Sequence, residues 1–227
     1  MGQRGVKPKG KIKIHWSPNF AYAIGLLATD GCLSSSGRHI IFVSKDIDQI
    51  NNFLKSLKIN NIKIGRSYSK SSGKKIFYSR VQFGDVLFYK FLQQIGLTSA
   101  KSKTLGEIKI PDHLFCDYLR GCFDGDGCSY SYWDKRWKSS FMLYITFVSA
   151  SEKYVAWLRN KIFEQLGIKG HVTTAVKKGN WYQLKYAKND SLILINAMYK
   201  NSRVIHLKRK KLKIDQSLAI IRKLSST

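Results

Sequence analysis

Ala23-Ile24-Gly25-Leu26-Leu27-Ala28-Thr29-Asp30-Gly31 closes an apolar stretch that opens at Pro18. Leu119-Arg120-Gly121-Cys122-Phe123-Asp124-Gly125-Asp126-Gly127 closes another that opens near His113. Both read as helices, expected over 18–29 and 113–125. Ser17 suits the first N-cap, with Pro18 in the first turn, and Asp112 comes after Pro111 as the second N-cap. Ala21, Gly25 and Thr29 fall at i, i+4 and i+8 of the first helix, and Gly121 and Gly125 at i and i+4 of the second. Small residues at that spacing let two helix axes approach to about 8 Å. A glycine inside a helix costs roughly 0.5–1 kcal/mol against alanine, so it calls for a packing reason. Each stripe could pack on its own sheet. Because both stripes end one residue before an Asp-Gly, two helices packed on each other is the better reading.

The segments downstream of the two helices also match. After Gly31 come a short strand, a turn over 34–37 and a strand from His39 to Ser44. After Gly127 come a strand, a turn near Asp134 and a strand from Ser140 to Ser149. In the latter, Phe141, Leu143, Ile145 and Phe147 alternate with Ser140, Met142, Tyr144 and Thr146. An amphipathic helix is next in each copy, marked by Ile47, Ile50, Leu54 and Leu57, then by Val155, Leu158, Ile162 and Leu166. A second hairpin with a basic tip (62–83, 171–188) and a third helix (85–95, 190–199) complete each unit. The expected fold class is α+β: two αββαββα halves related by a pseudo-twofold axis within a monomer. Each half carries a saddle-shaped antiparallel sheet, and the glycine-striped helices join the halves. The boundaries read as a basic arm over 1–16, a first half over 17–97, a linker over 98–111 and a second half over 112–227 with a basic C-terminal helix. A repeat of about 100 residues is too long for a solenoid unit.

Composition narrows the partner. The 227 residues hold 40 Lys+Arg against 14 Asp+Glu, a formal net charge of +26, with 44% hydrophobic residues. That core content excludes a disordered basic tail, and the charge calls for a polyanion, most commonly nucleic acid. No apolar run approaches the roughly 20 residues that span a bilayer, and the first fifteen residues lack the apolar core of a secretory signal. Cys32, Cys116, Cys122 and Cys128 form no CxxC pair, so reduced thiols are expected rather than a zinc site. Asp30 and Asp126 end helices where the dipole already presents about −0.5 charge. Two carboxylates brought together there repel, and a divalent cation or a proton relieves the repulsion. In so basic a chain, a metal beside a phosphate is the chemistry this pair suits. A calcium loop from Asp124 fails, because Cys128 and Lys135 occupy its fifth and twelfth positions. Neither charge nor architecture supports a glycosidase.

The paired nine-residue motifs, with this order of strands and helices, resemble the LAGLIDADG homing endonucleases in their monomeric, two-motif branch. The resemblance covers about residues 17 to 211. It implies that the motif helices, through Ala21, Gly25 and Gly121, form the interface between halves. It also implies metal-binding carboxylates at Asp30 and Asp126, helped by the backbone carbonyls of Thr29 and Gly125. The implied activity is site-specific double-strand DNA cleavage across the minor groove, leaving 3′ overhangs. The implied cofactor is Mg²⁺ or another divalent cation such as Mn²⁺ or Ca²⁺. Packed helix ends agree with this, since they place two carboxylates within reach of phosphates across a groove about 6 Å wide. Lys45 matches a catalytic lysine at the end of the second strand, whereas Ala150 stands at the matching place in the second half. RNA-binding maturases and non-cleaving DNA-binding proteins on the same scaffold are the competing readings, so intron RNA stands beside duplex DNA as a partner. The retention of both aspartates argues against a degenerate binder.

Base readers should be long, polar and on alternate strand positions. Tyr78, Arg80 and Gln82 fit in the first half and Gln183 and Lys185 in the second, with Arg38, Arg66, Tyr68, Lys138 and Thr173 as additions. Lys74, Lys75, Lys177, Lys178, Lys101, Lys103 and the run from Lys208 to Lys211 should grip phosphates without reading sequence.

Overall fold

Ser17 starts the first helix as its sequence predicts: its hydroxyl accepts from the Phe20 N–H at 3.2 Å, and α1 runs Pro18–Thr29. The computed structural model describes residues 10–71, 74–137, 139–175, 181–201 and 203–225. After α1 come β1 (Gly31–Leu33), β2 (His39–Ser44), α2 (Ile47–Ser56), β3 (Gly65–Ser71), β4 (Lys74–Gly84) and α3 (Val86–Gln94). A 3₁₀ turn at Lys101–Lys103 lies in the linker, and another at Asp112–Leu114 leads into α4 (Phe115–Asp126). The second half continues with β5 (Cys128–Trp133), β6 (Phe141–Ser149), α5 (Glu152–Leu166), β7 (His171–Ala175), β8 (Trp181–Tyr186), α6 (Lys188–Tyr199) and α7 (Lys208–Ser225). The halves form two antiparallel sheets with the same topology, β1-β2-β4-β3 and β5-β6-β8-β7. The duplicated α+β architecture is present in full.

The two motif helices meet through their glycines. A Cβ at Gly25 would stand 2.2 Å from the Tyr118 carbonyl oxygen, and one at Gly121 would stand 2.1 Å from that of Tyr22. No side chain fits at either place, which is the packing reason for accepting glycine inside a helix. Ala21 is fully buried beside them. Asp124 adds a polar bolt: its Oδ2 accepts from Tyr22 Oη and from the Leu207 N–H, both at 2.7 Å.

Three expectations need correction. Asp112 caps nothing with its side chain; it pairs with Lys161 at 2.8 Å, because the turn before α4 is 3₁₀. Ile47 is exposed, and α2 instead buries Gln49, Ile50, Phe53 and Ser56. The basic arm is not wholly free, since the N–H groups of Lys11 and Ile12 both donate to Asp85 Oδ2, at 2.6 and 2.8 Å. Lys138, Lys177, Lys178 and the arm through Lys9 lie outside the described residues, and for Lys74 only the backbone pairing with Ser71 is described.

Candidate active site

The helix seam delivers Asp30 and Asp126 to one place. Asp30 caps the C-terminus of α1. Its Oδ2 lies 3.2 Å from where a Gly125 Cβ would be, against the last turn of α4. Gln49 Nε2 donates to that oxygen at 2.9 Å and to the Asp124 carbonyl at 3.3 Å. Gln49 Oε1 accepts in turn from Ser44 Oγ at 2.7 Å. Burial, and then the charge of Asp126, push the Asp30 carboxyl up to about 6, against the pull of Gln49, Lys210 and Lys101. Asp126 is also raised by burial and drawn back by Lys101 and Lys210. It is the more exposed of the two and lines a cavity of about 170 Å³ with Thr29, Lys101, Ser149, Ala150 and Trp181.

Two lysines complete the site. Lys101 Nζ donates to the Thr29 carbonyl at 3.0 Å. Lys210 Nζ donates to the carbonyls of Phe123, Gly125 and Gly127, each at 2.7 Å. Both side chains are buried, and each meets helix-end carbonyls where the dipole favours a cation. Burial lowers both ammonium groups, that of Lys210 to about 8. This corrects the expectation that both are surface grips on phosphate. The repeat itself carries a signal for them: each lysine comes after the third helix of its half, α3 or α6. Lys45 follows Ser44, whose hydroxyl donates into the Gln49–Asp30 chain. It is exposed, with Nζ 5.6 Å from the centre of the Tyr78 ring, and the cations acting on the carboxylates are Lys101 and Lys210.

No protein-family model and no curated protein sequence matches the chain. Solved structures do. The homing endonuclease I-WcaI bound to its DNA recognition sequence superposes with a TM-score of 0.61 at 17% identity, covering 92% of this chain and 95% of that one. The I-LtrWI LAGLIDADG homing endonuclease bound to target DNA gives 0.57 at 12% identity, covering 92% and 91%. Full-length DUF199/WhiA from Thermatoga maritima gives 0.52 at 15% identity, covering 92% and 69%. The chain has the LAGLIDADG fold.

Each sheet packs one face on the helices, and the alternate residues along β2 and along Phe141–Tyr144 of β6 are less buried. Cross-strand pairing puts Arg80 opposite Val43 and Gln82 opposite Ile41 on the first open face, with Tyr78 beside them. Arg80 and Gln82 are hydrogen-bonded to each other. Arg66 and Tyr68 pair with Ser79 and Phe77, which puts them on the other face and corrects their expected place beside Arg80. Lys75 lies over the Tyr68 ring at 5.4 Å. On the second sheet Thr173 pairs with Gln183, and Lys185 shares their face. Arg38 is exposed in the β1–β2 turn.

The donor set fits a hard divalent cation in one respect. Among the described residues no three His, Cys, Asp or Glu side chains converge, so the protein offers two carboxylates. Mg²⁺ suits such a site, because it is held by one or two carboxylates and keeps water and substrate phosphate as its other ligands. The Thr29 and Gly125 carbonyls already accept from lysine.

Proposed function

We propose that the protein is a site-specific, divalent-metal-dependent endonuclease that hydrolyses both strands of duplex DNA across the minor groove and leaves 3′ overhangs. The observation that carries this reading is the paired carboxylates, one from each half, at abutting helix ends flanked by two buried lysines. WhiA has the same fold, so fold alone does not supply the activity; the site does. Asp30 and Asp126 would hold the metal, which when bound activates water and stabilises charge on the attacked phosphate and on the leaving 3′ oxygen. Lys101 and Lys210 keep positive charge beside the scissile groups and hold the helix ends at fixed spacing. Gln49 fixes the Asp30 carboxylate. Lys45, on the open face, contacts the DNA backbone.

The test uses duplex DNA carrying the uninterrupted sequence that flanks the reading frame, with Mg²⁺ or with EDTA. Asp30→Asn and Asp126→Asn should each lose double-strand cleavage while keeping DNA affinity within a fewfold. Full cleavage by either variant sinks the metal-site reading. Tight binding of intron RNA, with no cleavage under any divalent ion, would establish the maturase reading instead.

A further inference from the structure

The two open faces differ in chemistry. From this we infer that the second sheet selects a thymine-rich tract through methyl contacts while the first reads purines by hydrogen bonding. The inference rests on the duplex-DNA reading above and names the base pairs each half prefers.

On the second sheet Tyr130 and Tyr144 are cross-strand partners, with ring centres 4.9 Å apart and planes 20° apart. Tyr132 stacks against both, 6.5 Å from Tyr130 and 6.1 Å from Tyr144. Lys185 Nζ lies 4.3 Å from the centre of Tyr144 and 5.4 Å from that of Tyr130. Met142, opposite Tyr132, extends the same apolar surface. The faces of Tyr130 and Tyr144 are therefore shared with each other and with Lys185, which narrows the room for stacking an unpaired base. Ring edges and a thioether suit the 5-methyl of thymine, an apolar group on the major-groove edge of a base pair.

The first sheet has no such aromatic cluster among its described residues. Arg80 Nη2 donates to Gln82 Oε1, so the two side chains lie side by side on the open face. That leaves the other guanidinium donors and the amide NH₂ for a ligand. Arginine pairs with the O6 and N7 of guanine, and glutamine with the N6 and N7 of adenine. One half-site is thus read by polarity and the other by methyl groups.

Selection of bound sequences from a randomised duplex by the full chain, in EDTA so that no strand is cut, tests this directly. Replacing each selected thymine by deoxyuridine then deletes only the methyl. Thymine should be enriched in one half-site and a guanine beside an adenine in the other, and each replacement in the thymine-rich half-site should weaken binding about fourfold, the value of one buried methyl. Tyr132→Ala, at a half-exposed site, should remove the deoxyuridine effect and spare the purine half-site; Arg80→Ala should do the reverse. Equal affinity for deoxyuridine duplexes, a G·C-selecting second half-site, or a preference for single strands overturns the inference and leaves cleavage intact. Failure to retain any duplex overturns the endonuclease reading itself.

Discussion

At the residue scale, Asp30 shows how the site works against its own stability. Its carboxyl is raised from 3.8 to about 6, so between those pH values the folded state binds the proton more tightly than the unfolded chain. The stabilisation from this proton is full below about pH 4 and is lost as pH rises through 6. Above 6 the fold carries a buried charge held against Asp126. Asp30→Asn should therefore raise the melting temperature in EDTA at pH 8, and the gain should shrink toward pH 4. A constant difference across that range would exclude the linkage. Under the proposed function the same variant should lose cleavage, a trade of activity for stability. Lys101→Met and Lys210→Met should each slow cleavage on the order of a hundredfold, as loss of one charge-stabilising donor does. Single-turnover rates on saturating DNA separate this from weaker binding. Charge alone does not mark these lysines as site residues, because a cation in a basic stretch looks like a solvated, phosphate-gripping one; their matching place after the third helix of each half is the signal. Only the folded chain shows that Lys210 is buried while its neighbour Arg209 pairs with Asp46 at the surface.

At the element scale the seam between α1 and α4 is the feature the sequence states most clearly. Glycine at helical spacing has few other uses, and the backbone approaches at Gly25 and Gly121 are as close as the pattern implies. Gly121→Ala should destabilise the fold by about 1–3 kcal/mol or more, since its Cβ meets a backbone oxygen that cannot move aside as a flexible side chain would. Denaturant midpoints measure this, and an unchanged midpoint would mean that the helices separate at no cost. Strand alternation is legible on β6 and β8, where Phe141, Leu143, Ile145 and Phe147, and then Leu184 and Tyr186, are buried on one face. It fails on β3, where Tyr68 and its β4 partner Phe77 are both exposed at the outer end of the sheet. Alternation there no longer reports burial, so the face of Arg66 has to come from the register. The N-cap at Asp112 fails for a local reason: a 3₁₀ turn moves the start of α4 to Phe115.

At the scale of the whole molecule, the excess of 26 positive charges predicts DNA binding that weakens by about 10³-fold or more between 50 and 200 mM salt, if at least six phosphates are contacted. Lys45→Ala, at an exposed position, should lower the slope of log K against log salt by about one, whereas Lys210→Met should leave it unchanged. Equal slopes for all three proteins would show that Lys45 touches no phosphate. The duplicated plan is readable from composition and repeat alone; the unequal chemistry of the two open faces is not, because it depends on which rings cover which. The placement of Lys210 has a temporal consequence. It sits on α7, after both sheets and both aspartates, yet it secures the end of α4. Residues through Lys210 must therefore leave the ribosome before that ammonium can dock, so the second acid gains its neighbouring cation only after both sheets have been made.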